Sequence, residues 1–390
     1  MPPSPTTRVA MVLDGSGIGG VERHVGDLTE GLARLLGDRI ELHVVVGGDG
    51  PLIETVRRAG ARVRRIERDP SLLYVARLAR CLAALRPALV HAHSGRLACL
   101  AARLAGVPLV IETRHGIRER DARLYRVVPA ARRLEWAKSS LVDTTVAVCQ
   151  DDLAWLRGAA RFPAERTRLI PNGVESPGLS AAQLADARGR LRAQWRIDPA
   201  ALLLGYVGRL SHEKSPDRAL AVLGALRQGG HDAQLAMFGD GAMCAALRLR
   251  ADALGLASRV HWFGIVRERD TIYPGLDLLL MPSRREGLPY ALLDALAYTV
   301  PALVTPVGGM TELLDPAPLR DSLLAFDAGQ WAARAVQLMR GTTRESWRRA
   351  ALHRVSDFTR ETMVRSLVAL YGERLSARGA STVFDRPPRC

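Results

Sequence analysis

Short apolar runs, each ending in a loop and leading into a helical pattern, repeat along this chain, pause near 173–180, and begin again. In the first series the runs lie at 9–13, 42–46, 89–93, 109–113 and 145–149. In the second they lie at 202–207, 234–238, 260–263, 276–281 and 302–304. Strands that alternate with helices specify parallel sheets covered on both faces. The fold class expected is therefore α/β, with two Rossmann-like parallel-sheet domains. In open sheets of this kind ligands sit beyond the carboxyl ends of the strands, so the loops after the runs are where chemistry is sought.

The loop after 276–281 is the richest. It reads Ser283-Arg284-Arg285-Glu286-Gly287-Leu288-Pro289-Tyr290 and continues into a helix carrying Leu292, Leu293, Asp294, Leu296 and Ala297. Proline suits a first helical turn, and a helix N-terminus attracts anions through its free N–H groups and dipole. Two carboxylates, Glu286 and Asp294, flank that place, an arrangement suited to a ligand with both phosphates and hydroxyls. The loop after 202–207 adds cations, Arg209 and Lys214. Lysine occurs only twice, at Lys138 and Lys214, among 55 basic residues. An ammonium kept beside a guanidinium supplies two different phosphate-binding tools.

The first series opens with a glycine loop, 14–20, that permits tight turns and close backbone approach to a ligand. It is neither a dinucleotide fingerprint nor a phosphate-binding P-loop. His115 stands at a strand end before a glycine, which marks it as a candidate. His91 and His93 stand at another, with a stronger bias toward a packing role.

Composition restricts the partners. The net charge of +15 favours anionic ligands, yet no zinc-finger or aromatic RNA-binding pattern is present, and no nucleic-acid partner is expected. The arginine-rich stretch 117–138, with Tyr125 and Trp136, suits either a solvated surface or an anionic membrane face. Five scattered cysteines without a Cys-x-x-Cys pair suit a reducing compartment. With no signal-peptide pattern and no apolar run long enough to span a bilayer, the expected location is cytoplasmic, with peripheral contact to the inner face of the cytoplasmic membrane as an option.

Taken in order, Gly208-Arg209-Leu210-x3-Lys214, Glu286-Gly287-Leu288-Pro289 with an acid eight residues on, and Thr305-Pro306-Val307-Gly308-Gly309 resemble the retaining GT-B glycosyltransferases of family 4. Gly19-Gly20-Val21-Glu22-Arg23-His24, His115-Gly116 and Ile170-Pro171-Asn172-Gly173-Val174 resemble that family's N-terminal landmarks. The ordered set covers roughly residues 8 to 375. It implies an acceptor-binding domain over 1–175 and a nucleotide-sugar domain over 176–355, facing an interdomain cleft. A helix over 356–378 would return to the first domain, and 379–390 would form a disordered tail.

The resemblance also implies roles. Arg209 and Lys214 would bind the donor diphosphate and stabilise the leaving nucleoside diphosphate, and Glu286 would contact donor-sugar hydroxyls. Backbone at Leu288, Pro289 and Tyr290 would approach the donor, and Asp294 would hold the ribose, where the family more often has glutamate. Ile265 would lie by the base, and Gly19, Gly20 and His115 would face the reaction centre. The expected reaction moves a sugar from a UDP- or GDP-linked donor to a lipid-linked or glycan acceptor, with retention, in exopolysaccharide or cell-envelope glycan synthesis. No cofactor and no metal are expected, since no Asp-x-Asp occurs. A nucleotide-sugar epimerase on the same fold and an anionic-polymer binding protein are the alternatives.

Overall fold

The computed structural model describes residues 6–67, 69, 72–93, 95–116, 139–379 and 383–385. The arginine-rich stretch 117–138, and Lys138 with it, lies outside the described residues. The chain forms two compact units. One joins the residues up to Asn172 to those from Arg360 onward, and the other runs Gly173–Thr359.

The first unit is built on a seven-stranded sheet. Its strands are β1 Thr7–Leu13, β2 Ile40–Val46, β3 Arg62–Arg65, β4 Leu89–Ala92, β5 Leu109–Arg114, β6 Thr144–Ala147 and β7 Thr167–Leu169. Their order is β3-β2-β1-β4-β5-β6-β7, every pair parallel. The inner strands are continuous apolar runs because both faces are covered; Val9, Met11, Val44, Val90 and Val110 are fully buried. Apolar patterning did not disclose β3, whose Arg62-Val63-Arg64-Arg65 sequence is charged because it is an edge.

The helix Arg360–Ser376 belongs to this unit. Its Met363, Val364, Leu367 and Tyr371 share a core with Val25, Leu28 and Leu32 of the helix Gly20–Leu36. The two helices touch at Gly31, where a Cβ would lie 2.5 Å from Val364 Cγ2. Within the stretch expected to be a disordered tail, Val383–Asp385 forms a 3-10 turn, and Phe384 is buried against Tyr371.

The second unit holds a five-stranded parallel sheet of β8 Leu202–Val207, β9 Ala233–Phe238, β10 Val260–Gly264, β11 Leu278–Met281 and β12 Ala302–Val304, in the order β10-β9-β8-β11-β12. The polar helix Ala181–Gln194 begins at a capping box, Ser180 with Gln183. The apolar run 276–281 becomes strand only from Leu278, because Asp277 is diverted. Its carboxylate accepts the Leu203 N–H at 2.9 Å and pairs with the fully buried Arg192, with Arg188 at 2.7 Å and with Arg344 at 3.4 Å. The helices Ala328–Leu338 and Gly341–Val355 complete the unit; the run-and-loop pattern did not mark them.

Both sheets reverse their winding once, at β1/β4 and at β8/β11. Adjacent strands whose connections leave in opposite directions open a crevice at their carboxyl ends, which is where such folds bind ligands.

Candidate functional site

In the second unit the β8/β11 switch point gathers the loops that sequence reading singled out. Lys214 follows β8 and Glu286 follows β11, and their side chains form an ion pair. Ser283 Oγ donates to the other carboxylate oxygen at 2.7 Å. Glu286 is nearly buried, at 4% side-chain exposure, while Lys214 keeps 22%. An ammonium has three donors and an ionised carboxylate about four acceptor positions, so each group retains capacity for a ligand.

The backbone holds this pair. Arg284 N donates to Glu213 O at 2.8 Å, tying one loop to the other, and Gly309 N donates to Gly287 O at 2.8 Å. Ser283 is fixed in turn by Thr305, whose hydroxyl donates to its carbonyl. Ser215, in the left-handed region at φ 49, turns the chain from the lysine loop into the helix Pro216–Gln228. Burial raises the Tyr206 phenol well above its ordinary pKa, with the Glu286 charge the next cause, so it stays a donor; it donates to Arg209 O at 2.9 Å. Arg209 itself is 68% exposed, 4.0 Å from Glu213.

Gly308 is where this scaffold is tightest. It sits at φ 55 and ψ −143, and a Cβ there would stand 2.0 Å from Glu286 O. That backbone region is essentially glycine-only, at a cost of about 1–3 kcal/mol for other residues. Gly308→Ala is expected to displace the Glu286 backbone, lower the thermal midpoint and cut turnover more than tenfold. A variant with wild-type turnover and midpoint would show that the loop does not depend on this contact.

The helix after the loop runs Tyr290–Ala297, with Pro289 as its N-cap rather than inside its first turn. The Leu288 and Tyr290 side chains are buried, so a ligand here would meet their backbone. Asp294 is also buried, and Arg269 pairs with it at 3.1 Å while donating to Glu175 O at 3.0 Å. The Arg269 guanidinium lies 5.8 Å from the centre of the Tyr298 ring. Sequence reading did not find Arg269; one arginine among so many carries no signal. Ile265, following β10, is 56% exposed.

In the first unit the β1/β4 switch point holds a different chemistry. Gly19 caps the helix Gly20–Leu36 in extended backbone. Ser16, in the glycine loop, donates to Gly48 O at 2.9 Å. His24 projects from that helix, His93 follows β4, and His115 follows β5; their ring centroids are 4.8 to 5.6 Å apart. His91 is separate in role. Its two nitrogens bond the Tyr371 hydroxyl and Thr113 Oγ1, both at 2.6 Å, which is a packed structural histidine. Burial lowers the His24 ring to about pKa 4. Burial first, and neighbouring histidines second, hold His93 and His115 well below the ordinary value. Sequence reading placed His115 here; it missed how His24 and Asn172 join it, because their separation of 148 residues is bridged only by the fold.

Two parallel α/β units, one with a cation–carboxylate pair at its switch point, place the chain in the class of α/β proteins that bind ligands at the carboxyl ends of their strands. Comparison supplies the family. The model for glycosyl transferases group 1 matches residues 187–351, and that for glycosyltransferase family 4 matches 18–176. The chain belongs to the group 1/family 4 glycosyltransferases. It is 32% identical over 238 residues to EpsF of Bacillus subtilis, covering 58% of this chain. It is 30% identical over 215 residues to the GDP-mannose-dependent alpha-(1-6)-phosphatidylinositol dimannoside mannosyltransferase of Mycobacterium tuberculosis, covering 54% of this chain. The matches span 59% and 54% of those relatives' own lengths. Among solved structures, Anabaena Alr3699/HepE in complex with UDP-glucose superposes with a TM-score of 0.76 at 17% identity, over 94% of this chain and 99% of that one. That likeness establishes the GT-B fold. Among the described residues no helix is long and apolar enough to cross a membrane.

Proposed function

We propose that this protein transfers a hexosyl group from a UDP- or GDP-linked sugar to a lipid-linked or glycan acceptor, with retention at the anomeric carbon, in exopolysaccharide or cell-envelope glycan synthesis. The observation that carries the reading is the Lys214–Glu286–Ser283 constellation at the β8/β11 switch point. Lys214, with Arg209 from the same loop, meets the donor diphosphate and stabilises the charge that develops on the leaving nucleoside diphosphate. Glu286 accepts from donor-sugar hydroxyls while Ser283 and Lys214 hold its orientation. Asp294 accepts from the ribose hydroxyls. The Mycobacterium relative named for GDP-mannose and phosphatidylinositol dimannoside, and the Anabaena neighbour solved with UDP-glucose, support a nucleotide-sugar donor and a lipid or glycan acceptor.

The test is incubation of the full chain with UDP- and GDP-sugars, with and without membrane extract, following free nucleoside diphosphate. Release stimulated by the extract is expected from one donor series, and the anomeric proton coupling of the product reports retention. Binding of neither series, together with tight DNA binding at physiological salt, would leave the anionic-polymer reading in its place.

Asp294 gives a narrower test. Its carboxylate is short for a position at which glutamate is the family habit, and Arg269 bonds it. Asp294→Glu is expected to keep the donor KM within about threefold or lower it, since the longer chain regains roughly one methylene of reach, about 1.5 Å along the chain. A large rise in KM would place the ribose elsewhere.

A further inference from the structure

The helices Leu72–Leu85 and Gly95–Leu104 pack side by side on one face of the seven-stranded sheet. Their inner sides, with Val75, Leu78, Leu82, Ala98 and Ala102, join one core. Their outer sides carry a different pattern. No aspartate or glutamate occurs anywhere in 71–111, although the chain holds 40 acids. Eight large apolar side chains are exposed among the described residues, and three of them, Leu72, Leu73 and Leu104, stand here at 81%, 67% and 66% exposure. A single exposed leucine is ordinary. Three on two adjoining acid-free helices, set among arginines, call for a physical reason.

On the first helix Leu73, Arg77, Arg80 and Ala84 recur at helical spacing and are all exposed, forming one outward stripe. On the second, half-buried Leu97 and Leu100 lead to Leu104. Arg86 follows the first helix, and Arg64 of β3 projects to the same side. Burial raises the Cys81 thiol on that helix, and the nearby Arg64 charge offsets part of the rise. Two arginines of this face are paired at its rim, Arg77 with Asp69 and Arg103 with Asp143. Arg64, Arg80 and Arg86 have no ion-pair partner among the described residues. Both helices run antiparallel to the parallel strands, so their N-termini share one end. Leu72 and Leu73 therefore mark one end of the face and Leu104 the other, about 20 Å apart along the axes.

This mixture selects the occupant. The core of a protein–protein interface is depleted of charge, whereas here guanidinium groups stand between the leucines. A bilayer boundary accepts that pattern. Leucines enter the acyl edge, while arginines lay their stems along it and keep their charge at the phosphates. An acid-free face meets no repulsion from anionic headgroups, and each arginine near them adds about fivefold to partitioning. We propose that the outer face of the helices Leu72–Leu85 and Gly95–Leu104 is a docking surface for a phospholipid bilayer carrying anionic headgroups. The helices lie along the bilayer, since exposed leucines mark both ends. This face is distinct in sequence from the stretch 117–138. The inference goes beyond the transfer reading and stands apart from it, because lipid binding is read without turnover.

The full chain is sedimented with vesicles of phosphatidylcholine alone and with vesicles in which about a third of the lipid is phosphatidylglycerol. Binding is expected only to the anionic vesicles, weakening as salt screens the charges. Leu72→Ser, Leu73→Ser and Leu104→Ser together are expected to lower the partition coefficient roughly tenfold or more. Arg80→Gln with Arg86→Gln is expected to lower it about 25-fold, about fivefold for each charge. Leu249→Ser with Leu352→Ser, at positions 70% and 52% exposed in the second unit, is expected to change nothing. The proposal falls if the chain ignores anionic vesicles, binds neutral ones as tightly, or keeps its binding in the triple-leucine variant. It also falls if the Leu249 and Leu352 changes remove binding. A dimer seen without lipid, which the triple variant dissociates, would give the face to a second copy and overturn the proposal too. The five substituted side chains of the face are all exposed, so thermal midpoints should hold. The arginine pair and the lipid dependence of the wild type decide the matter even if the leucine variant fails to fold.

Discussion

Lys214→Ala is expected to lower kcat/KM for sugar transfer by about 10²–10³-fold or more, the loss found when one preorganised charge stabiliser is removed. That is about 2.7–4 kcal/mol of transition-state stabilisation. The argument rests on position and substitution together. The ammonium is one of two in the sequence, and it lies at the carboxyl end of the central strand β8, paired with a carboxylate that is only 4% exposed. Removing it also leaves Glu286 to Ser283 alone, so a stability loss of about 1–3 kcal/mol accompanies the kinetic one. Lys214→Arg separates the two effects. It keeps the charge but replaces a compact ammonium by a planar fork, so it should restore stability more fully than turnover. The measurement is steady-state kinetics alongside thermal midpoints. Near-normal turnover in Lys214→Ala would remove this residue from the mechanism.

The largest effect on stability is expected at Asp277. Arg192, at 2% exposure, donates to Gly275 O at 3.0 Å and to Ala201 O at 2.9 Å, and its charge is met by the Asp277 carboxylate. The same carboxylate satisfies the Leu203 N–H and binds Arg188. Asp277→Ala leaves a buried guanidinium without its counter-charge, which costs about 3–5 kcal/mol. The urea midpoint of the second unit should fall accordingly, while that of the first unit is unmoved. Pairing the change with Arg192→Met should cost less than the sum of the two singles, because the stranded charge leaves with the residue. Strict additivity would mean that the pair is not coupled.

These two residues illustrate what was legible in the chain. Lys214 could be found without a structure, since its rarity and its place after an apolar run both lie in the sequence. Glu286 could be found for the same reason, being local to a recognisable strand, loop and helix. Asp277 could not. Within an apolar run it reads as a minor interruption, and its partners Arg188, Arg192 and Arg344 are three of a great many arginines. Arg269 beside Asp294 was hidden in the same way. The helix Arg360–Ser376 was legible as amphipathic, and its packing on Gly31 was not, because a glycine in a helix announces no neighbour.

The sequence by itself determined the two parallel-sheet units and the family, and it marked the loops at the strand ends where chemistry is sought. Apolar periodicity, loop residues and ordered motifs are all short-range, and each survives being read one window at a time. Tertiary structure alone decided the strand orders, and with them which loops become neighbours at β1/β4 and β8/β11. It decided that His91 spends both nitrogens on packing, whereas His24 and His93 each retain one without a partner. The physical reason is that a side chain's hydrogen-bond account is settled by residues tens to hundreds of positions away. Asn172 meets His24 and Tyr371 meets His91 only after the sheet has closed and the last helix has docked.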